Sequence, residues 1–454
     1  MIRYFLLASV IAVATATQII PQRSDFVSVK AQTFQLNNKP YHFIGANYWF
    51  GSLLGLEKDK RRGIERLKKE LDFLKKNGVT NLRLMAGAEG TGVINGVMRV
   101  GPALQTEQGK FDEHALDGLD LILAEMTKRK MTAVIFLSNN WEWTGGFQQY
   151  VDWNGLVPDE LNGRPLNWDE LRDTVARFYV CAECKTAYLK QVRLVMERTN
   201  KITGRKYTND RTIMAWELAN EPRPMRPGAR ERYAEWIRDA AAAIKARDKN
   251  HLVTTGHEGS VGTEGMELFE EVHRDVNIDY LTIHIWPKNW GWLENAVEKS
   301  VEYIEQHIMV ARRLNKPLVI EEFGLPRDAF LAKLRTLEEN HPGGDAPPPL
   351  LRKEGSVTAD QFKSGSEFEP GSPTTRRNEY FRKIFSYVGK GPVAGANFWA
   401  FGGIARPVNG QTYWKAGDAW MGDPPMEEQG LNSVFDVDRS TWKVIQSVSR
   451  SIRR

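Results

Sequence analysis

The chain has 454 residues, 41% apolar and 26% charged, with a formal net charge of +5. That is the balance of a soluble globular protein able to bury a large core. A nucleic-acid partner is not expected, because basic runs such as Lys58 to Arg62 are interleaved with acids and read as solvated helix faces.

The chain opens on Met1-Ile2-Arg3, an apolar run from Tyr4 to Val13, and Ala14-Thr15-Ala16. These are the charged, apolar and small-residue parts of a signal peptide cut near Ala16. The run is too short to span a bilayer, and nothing later approaches the roughly 18 apolar residues of a spanning helix. Residues 17–454 are therefore expected to be secreted or periplasmic, without a membrane anchor. The other reading of the run is a buried strand or an anchor.

Residues 25–39 are expected to form a short hairpin under the domain. Eight strand candidates then follow: Tyr41 to Ala46, Val79 to Met85, Met131 to Leu137, Ile213 to Leu218, Leu252 to Thr255, Tyr280 to Ile285, Pro317 to Glu322 and Ala394 to Phe401. Amphipathic stretches separate them. In the first, Asp59 to Asn77, Ile64, Leu67, Leu71 and Leu74 share a stripe and Gly78 supplies the stop. The longest is expected as one helix from Trp168 to Thr199. Eight strands alternating with helices predict an α/β fold, a single (β/α)8 TIM barrel, rather than an open doubly wound sheet. The stretch from Leu331 to Pro373 is rich in Pro and Gly and is expected as a loop insertion after strand seven, either shaping the active face or solvent-exposed and disordered.

Barrels carry their chemistry at the C-terminal ends of strands. Strand four ends in Asn220-Glu221-Pro222-Arg223 and strand seven in Glu321-Glu322-Phe323-Gly324. A single strand-end Glu is usually a solvated loop carboxylate, but two on near-opposite strands can face one another across a sugar. Glycoside cleavage needs such a pair, one protonating the leaving oxygen and one attacking the anomeric carbon or activating water. Glu321 and Glu217 are the rivals within each strand, and strand alternation allows only one of Glu321 and Glu322 to point into the mouth. No phosphate-binding glycine motif occurs. Nor do the eight histidines provide a metal cluster, so neither cofactor nor metal is expected. The 14 tryptophans are roughly twice common usage, and sugar-binding clefts are one use for such rings.

Asn-Glu-Pro ending strand four with Glu-Phe-Gly ending strand seven resembles glycoside hydrolase family 5. Gly45-Ala46-Asn47-Tyr48-Trp49, Asn81-Leu82-Arg83-Leu84-Met85, Asn139-Asn140-Trp141 and Asn397-Phe398-Trp399 with Gly402-Gly403 are similar to its endo-β-mannanases. The resemblance implies retaining hydrolysis of internal β-1,4-mannosidic bonds in mannan, galactomannan or glucomannan. It implies Glu221 as acid/base, Glu322 as nucleophile and Asn220 on the sugar 2-hydroxyl. Arg83 would keep Glu322 ionised, His284 line the cleaved-sugar subsite, Trp399 give that sugar a floor, and Arg223 meet the leaving-group side. Trp141 would wall the cleft or simply pack, and Arg83 could instead pair with a core carboxylate.

Where relatives carry a Tyr that donates to the nucleophile, this chain has Trp286, whose indole N–H can also donate. Trp290 and Trp292 lie just beyond and could extend the platform. The only cysteines, Cys181 and Cys184, fall on one face of the expected long helix and would form a local disulfide or two packed thiols. A β-mannan polysaccharide is the expected partner, and the chain is expected to be a monomer. A β-1,4-glucanase or an exo-acting mannosidase of the same family, or an inactive carbohydrate-binding barrel, are the other readings.

Overall fold

Apolar strands alternating with amphipathic helices close into a ring in the computed structural model, which describes residues 25–330 and 371–452. The strands are β1 (Phe43–Asn47), β2 (Asn81–Met85), β3 (Thr132–Phe136), β4 (Ile213–Glu217), β5 (Leu252–Thr254), β6 (Leu281–Ile285), β7 (Leu318–Phe323) and β8 (Val393–Phe398). All ladders are parallel, in the order 5-4-3-2-1-8-7-6. β5 and β6 share no ladder. Asp279 N–H donates to Val253 O at 2.8 Å and Thr254 Oγ1 to Tyr280 O at 3.0 Å, which closes the ring. Every residue of these strands is buried, as a parallel sheet jacketed by helices requires. The expected (β/α)8 barrel is the fold.

The expected hairpin under the barrel is a three-stranded antiparallel sheet, Ser28–Lys30, Thr33–Leu36 and Lys39–Tyr41, so Tyr41 belongs to it and not to β1. Phe34 packs edge-on against Tyr280 at 5.2 Å, in an apolar cluster with Val134, Met214 and Val319. This plugs the end of the barrel opposite the strand C-termini.

The first helix spans Lys60–Lys76, close to expectation, with Asp59 accepting from Arg62 N–H at 3.0 Å and Gly78 at φ +93° beyond it. The single helix expected from Trp168 to Thr199 is two, Trp168–Ala176 and Ala182–Glu197, separated by a 3-10 turn at Arg177–Tyr179. Cys181 causes the break: it is extended and caps the second helix, its Sγ accepting from Cys184 N–H at 3.0 Å. Cys181 and Cys184 form a disulfide at that helix start.

The last strand segment also divides, because β8 stops at Phe398 and Phe401–Gly403 pairs with Val434–Phe435. Residues 404–433 between them form a second long loop on the active face. Trp49 Nε1 donates to Gly422 O and Arg66 Nη2 to Trp420 O, both at 2.7 Å, and Asp423 accepts backbone N–H bonds from Gly430, Asn432 and Ser433. Most of the insertion expected after strand seven, and the expected signal peptide, lie outside the described residues. The insertion's flanks meet where Asp328 N–H donates to Pro373 O at 3.2 Å. Among the described residues no helix is long and apolar enough to cross a membrane.

Candidate active site

Arg83, fully buried on β2, organises the barrel mouth. Its guanidinium is a rigid five-donor fork suited to carboxylates. Nε and Nη2 donate to the two oxygens of Glu217 at 2.8 and 2.5 Å, Nη2 also to Asn220 Oδ1 at 2.7 Å, and Nη1 to Asn47 Oδ1 at 3.1 Å and to Glu322 Oε1. Pairing with a core carboxylate and pairing with Glu322 are thus both realised. Asn220 in turn donates through Nδ2 to Asn139 Oδ1 at 3.0 Å, tying the ends of β3 and β4 together.

Glu221 sits in the left-handed region at φ +51°, a conformation that costs a non-glycine residue on the order of 1 kcal/mol. Its N–H donates to Gly256 O at 2.9 Å. Gly256 must be glycine: at φ +80°, a Cβ there would fall 2.1 Å from Ala219 O and 2.2 Å from Glu217 Oε1. This turn aims the Glu221 carboxyl at His284, whose Nδ1 lies 2.7 Å from Oε1, while Trp141 Nε1 donates to Oε2 at 2.5 Å. The indole of Trp286, where the family pattern suggests a donor to Glu322, lies close enough to Glu221 to oppose the rise of its carboxyl.

His284 Nδ1 is 3.4 Å from Glu322 Oε2, and one side-chain O or N atom from each of Glu221, His284 and Glu322 lies within 4.8 Å of the others. Such a cluster could attract a cation, but Arg83 already brings positive charge to Glu322, and Glu221 and His284 are bonded to one another. Burial pushes the carboxyls of Glu221 and Glu322 up; Arg83 opposes it most directly at Glu322, and Arg223 and Trp141 oppose it at Glu221. Burial drives His284 down to about 4, so the ring is neutral at neutral pH.

Glu321 and Glu322 do not alternate as a regular strand demands. Both are buried and both reach Arg83 and His284. The register between β6 and β7 shifts at Ile283/His284, and this irregularity lets consecutive side chains face inward.

Above the carboxyls lies a cavity of about 690 Å³ lined by Trp141, Trp168, Trp286, Trp290 and Trp399 along with Asn220, Glu221, Arg223 and Glu322. Trp399 meets Trp286 edge-on at 5.8 Å, and its buried Nε1 has no hydrogen-bond partner. Trp290 lines the cavity, whereas Trp292 stands behind it, packed against Trp290 and Tyr303. Arg223 is held by Glu258 at 2.5 and 2.6 Å and lies over the rings of Trp141 and Trp168, 5.0 and 5.9 Å from their centroids.

Glu258, Trp168, Tyr413 and the Lys288–Glu428 pair were not singled out from sequence. Glu258 follows Gly256-His257 beyond β5, where a strand-end carboxylate could have been noticed. Tyr413 and Glu428 come from the 404–433 loop, whose prolines and glycines announce a loop without saying where it lands.

Two buried carboxyls beneath an aromatic cleft at the mouth of a (β/α)8 barrel are the apparatus of a glycoside hydrolase. The family model for glycoside hydrolase family 5 β-mannosidase-like proteins matches residues 24–454, and the chain belongs to that family. Mannan endo-1,4-beta-mannosidase 7 of Arabidopsis thaliana is 30% identical over 317 residues, 66% of this chain and 68% of the relative. The glycoside hydrolase family 5 mannosidase of Rhizomucor miehei is 30% identical with a TM-score of 0.77, over 94% of this chain and 98% of that one. The endo-beta-1,4-mannanase of Thermotoga petrophila, 22% identical with a TM-score of 0.63, over 91% of this chain and 77% of that one, shares the fold.

Proposed function

We propose that the protein hydrolyses internal β-1,4-mannosidic bonds of mannan, galactomannan or glucomannan by double displacement with net retention. The observation that carries this is that one carboxylate oxygen of Glu221 and one of Glu322 lie within 4.8 Å of each other. Retaining glycosidases hold their carboxyls about 5–5.5 Å apart, whereas inverting ones leave about 6.5–9.5 Å for a water. Substrate class is supported by the mannan endo-1,4-beta-mannosidases of Arabidopsis thaliana and rice, each 30% identical over 317 residues.

In this reading Glu322, charge-paired with Arg83, attacks the anomeric carbon while Glu221 gives its proton to the leaving oxygen. Glu221 then takes a proton from water as that water displaces Glu322, so the same carboxyl serves as acid and base. Asn220 binds the 2-hydroxyl, Trp399 floors the cleaved sugar with His284 beside it, and Arg223 with Trp141 walls the leaving-group side. The chain acts without cofactor, as a monomer exported by residues 1–16. Release of reducing ends from mannan but not from carboxymethylcellulose tests the substrate class, and a preference for the latter would make the protein a β-1,4-glucanase.

A second reading, exo-acting mannosidase, is favoured by the ion pair of Lys288 Nζ with Glu428 Oε2 at 3.6 Å. It links the loops after β6 and β8, both of which line the cavity, and so narrows one side of it. The similarity to the Rhizomucor miehei mannosidase points the same way. A rapid fall in galactomannan viscosity for few bonds cut supports internal cleavage; mannose release without that fall supports the second reading.

A further inference from the structure

The reaction proposed above leaves one carboxyl of the barrel mouth without a part. Glu321 is 1% exposed, and neither of its carboxylate oxygens accepts a hydrogen bond, although the Glu217 carboxyl stands beside it close enough to share a proton. The buried Nε2 of His284 also lacks one. These two groups face one another, His284 Nε2 lying 3.5 Å from Glu321 Oε2. Unpaired polar atoms at such depth are costly, and a proton shared between the two satisfies both.

The charges around the pair decide who holds that proton. Glu217, Glu221, Glu321 and Glu322 are four carboxyls around one guanidinium, and Arg83 gives its hydrogen bonds to Glu217, Glu322, Asn220 and Asn47. Its Nε is 3.8 Å from Glu321 Oε2, beyond hydrogen-bond reach. Of the other cations lining the cavity, Arg223 is taken by Glu258 and Lys288 pairs with Glu428. Burial, reinforced by the negative charge of Glu217, pushes the Glu321 carboxyl up, and the nearby Tyr280 hydroxyl stays neutral because burial pushes it up as well. The imidazole is neutral too. A neutral acid beside a neutral ring can donate its O–H to Nε2, and the ring hydrogen then sits on Nδ1, pointing at Glu221 Oε1.

We propose that Glu321 is a positioning residue that donates to His284 Nε2, fixes the Nδ1–H tautomer, and through that ring stabilises the ionised form of Glu221 needed in the second half of the reaction. The proton on Glu321 stays in place throughout. The ring sets how readily Glu221 releases its own proton to the leaving group and recovers one from water. This rests on Glu221 being the acid/base.

The test uses Glu321→Gln and Glu321→Ala in the full-length enzyme. The amide of Gln can still donate to Nε2, so the alkaline limb of its kcat/KM profile is expected to coincide with the parent's. Ala removes the donor and frees the ring to carry its hydrogen on Nε2, so Nδ1 accepts from protonated Glu221 and the alkaline limb moves up by about one pH unit. The ¹⁵N shifts of His284 are expected to show Nδ1–H in the parent and in Glu321→Gln, a readout independent of turnover that decides the matter even if the Ala variant does not fold. An Nε2–H ring in the parent overturns the proposal, since Glu321 would then be an ionised acceptor or share its proton with Glu217. Limbs displaced alike in both variants, or unmoved in both with only stability lost, overturn it as well. Failure of the acid/base assignment shows separately, as full activity of Glu221→Gln on mannan.

Discussion

Trp141 donates its indole N–H to Glu221 Oε2 at 2.5 Å, so the residue that walls the cleft also holds the carboxyl proposed as acid/base. A hydrogen bond to the charged form lowers a carboxyl's pKa. Trp141→Phe keeps the ring and removes the donor, so the pKa of Glu221 rises. Because Glu221 must be protonated for the first step, the alkaline limb of kcat/KM moves to higher pH, by about one unit. A pH–rate profile in which that limb stays put would assign Trp141 to packing alone.

Glu221→Gln removes the transferable proton but leaves its neighbours in place. Turnover on mannan is expected to fall by about 10²–10⁴-fold, the usual worth of general acid catalysis. An aryl mannoside with a good leaving group needs little protonation and should keep a far larger share of its rate of bond cleavage, read from the burst of released phenol. Equal losses on both substrates would remove Glu221 from the acid role.

Glu217 takes two of the guanidinium's hydrogen bonds, and both partners are fully buried. Glu217→Ala strands the Arg83 charge in the barrel and is expected to destabilise the fold by about 3–5 kcal/mol, as breaking one side of a buried ion pair does. Glu217→Gln keeps the shape and one acceptor oxygen for Arg83, and should cost less. Urea unfolding of the three proteins measures this, and an Ala variant as stable as the parent would contradict the account of Arg83.

The eight strands were legible because their period and apolar content report burial on both faces, and Glu221 and Glu322 because their flanking tripeptides are distinctive. What was lost depended on contacts distant in sequence. The break at Cys181 follows from a disulfide that spacing alone left open, and a helical stripe continues across it. The inward turn of both Glu321 and Glu322 follows from a register shift against β6 that no property of β7 announces. The site of the 404–433 loop is set by Trp49 and Arg66, more than 330 residues earlier, donating to its backbone carbonyls.

Lys288 and Glu428 test how far that loop governs the products. In Lys288→Ala/Glu428→Ala the link between the two loops is gone, and the cavity is expected to admit longer glycons. Product chromatography on mannohexaose should shift toward longer fragments, while turnover on a short aryl mannoside changes less than about threefold because Glu221 and Glu322 are untouched. Identical product patterns would show that the pair does not limit the cleft.

Glu322, held by Arg83, is proposed to form a covalent bond to the sugar. In a 2-deoxy-2-fluoro mannosyl fluoride the 2-fluoro group slows both steps while the fluoride leaving group restores the first, so the intermediate accumulates and the labelled peptide can be sequenced by mass spectrometry. The label is expected on Glu322, with Glu322→Ala unlabelled, nearly inactive, and partly rescued by azide to a product of inverted configuration. A label on Glu321, or time-dependent inactivation of Glu322→Ala at the parent's rate, would contradict it.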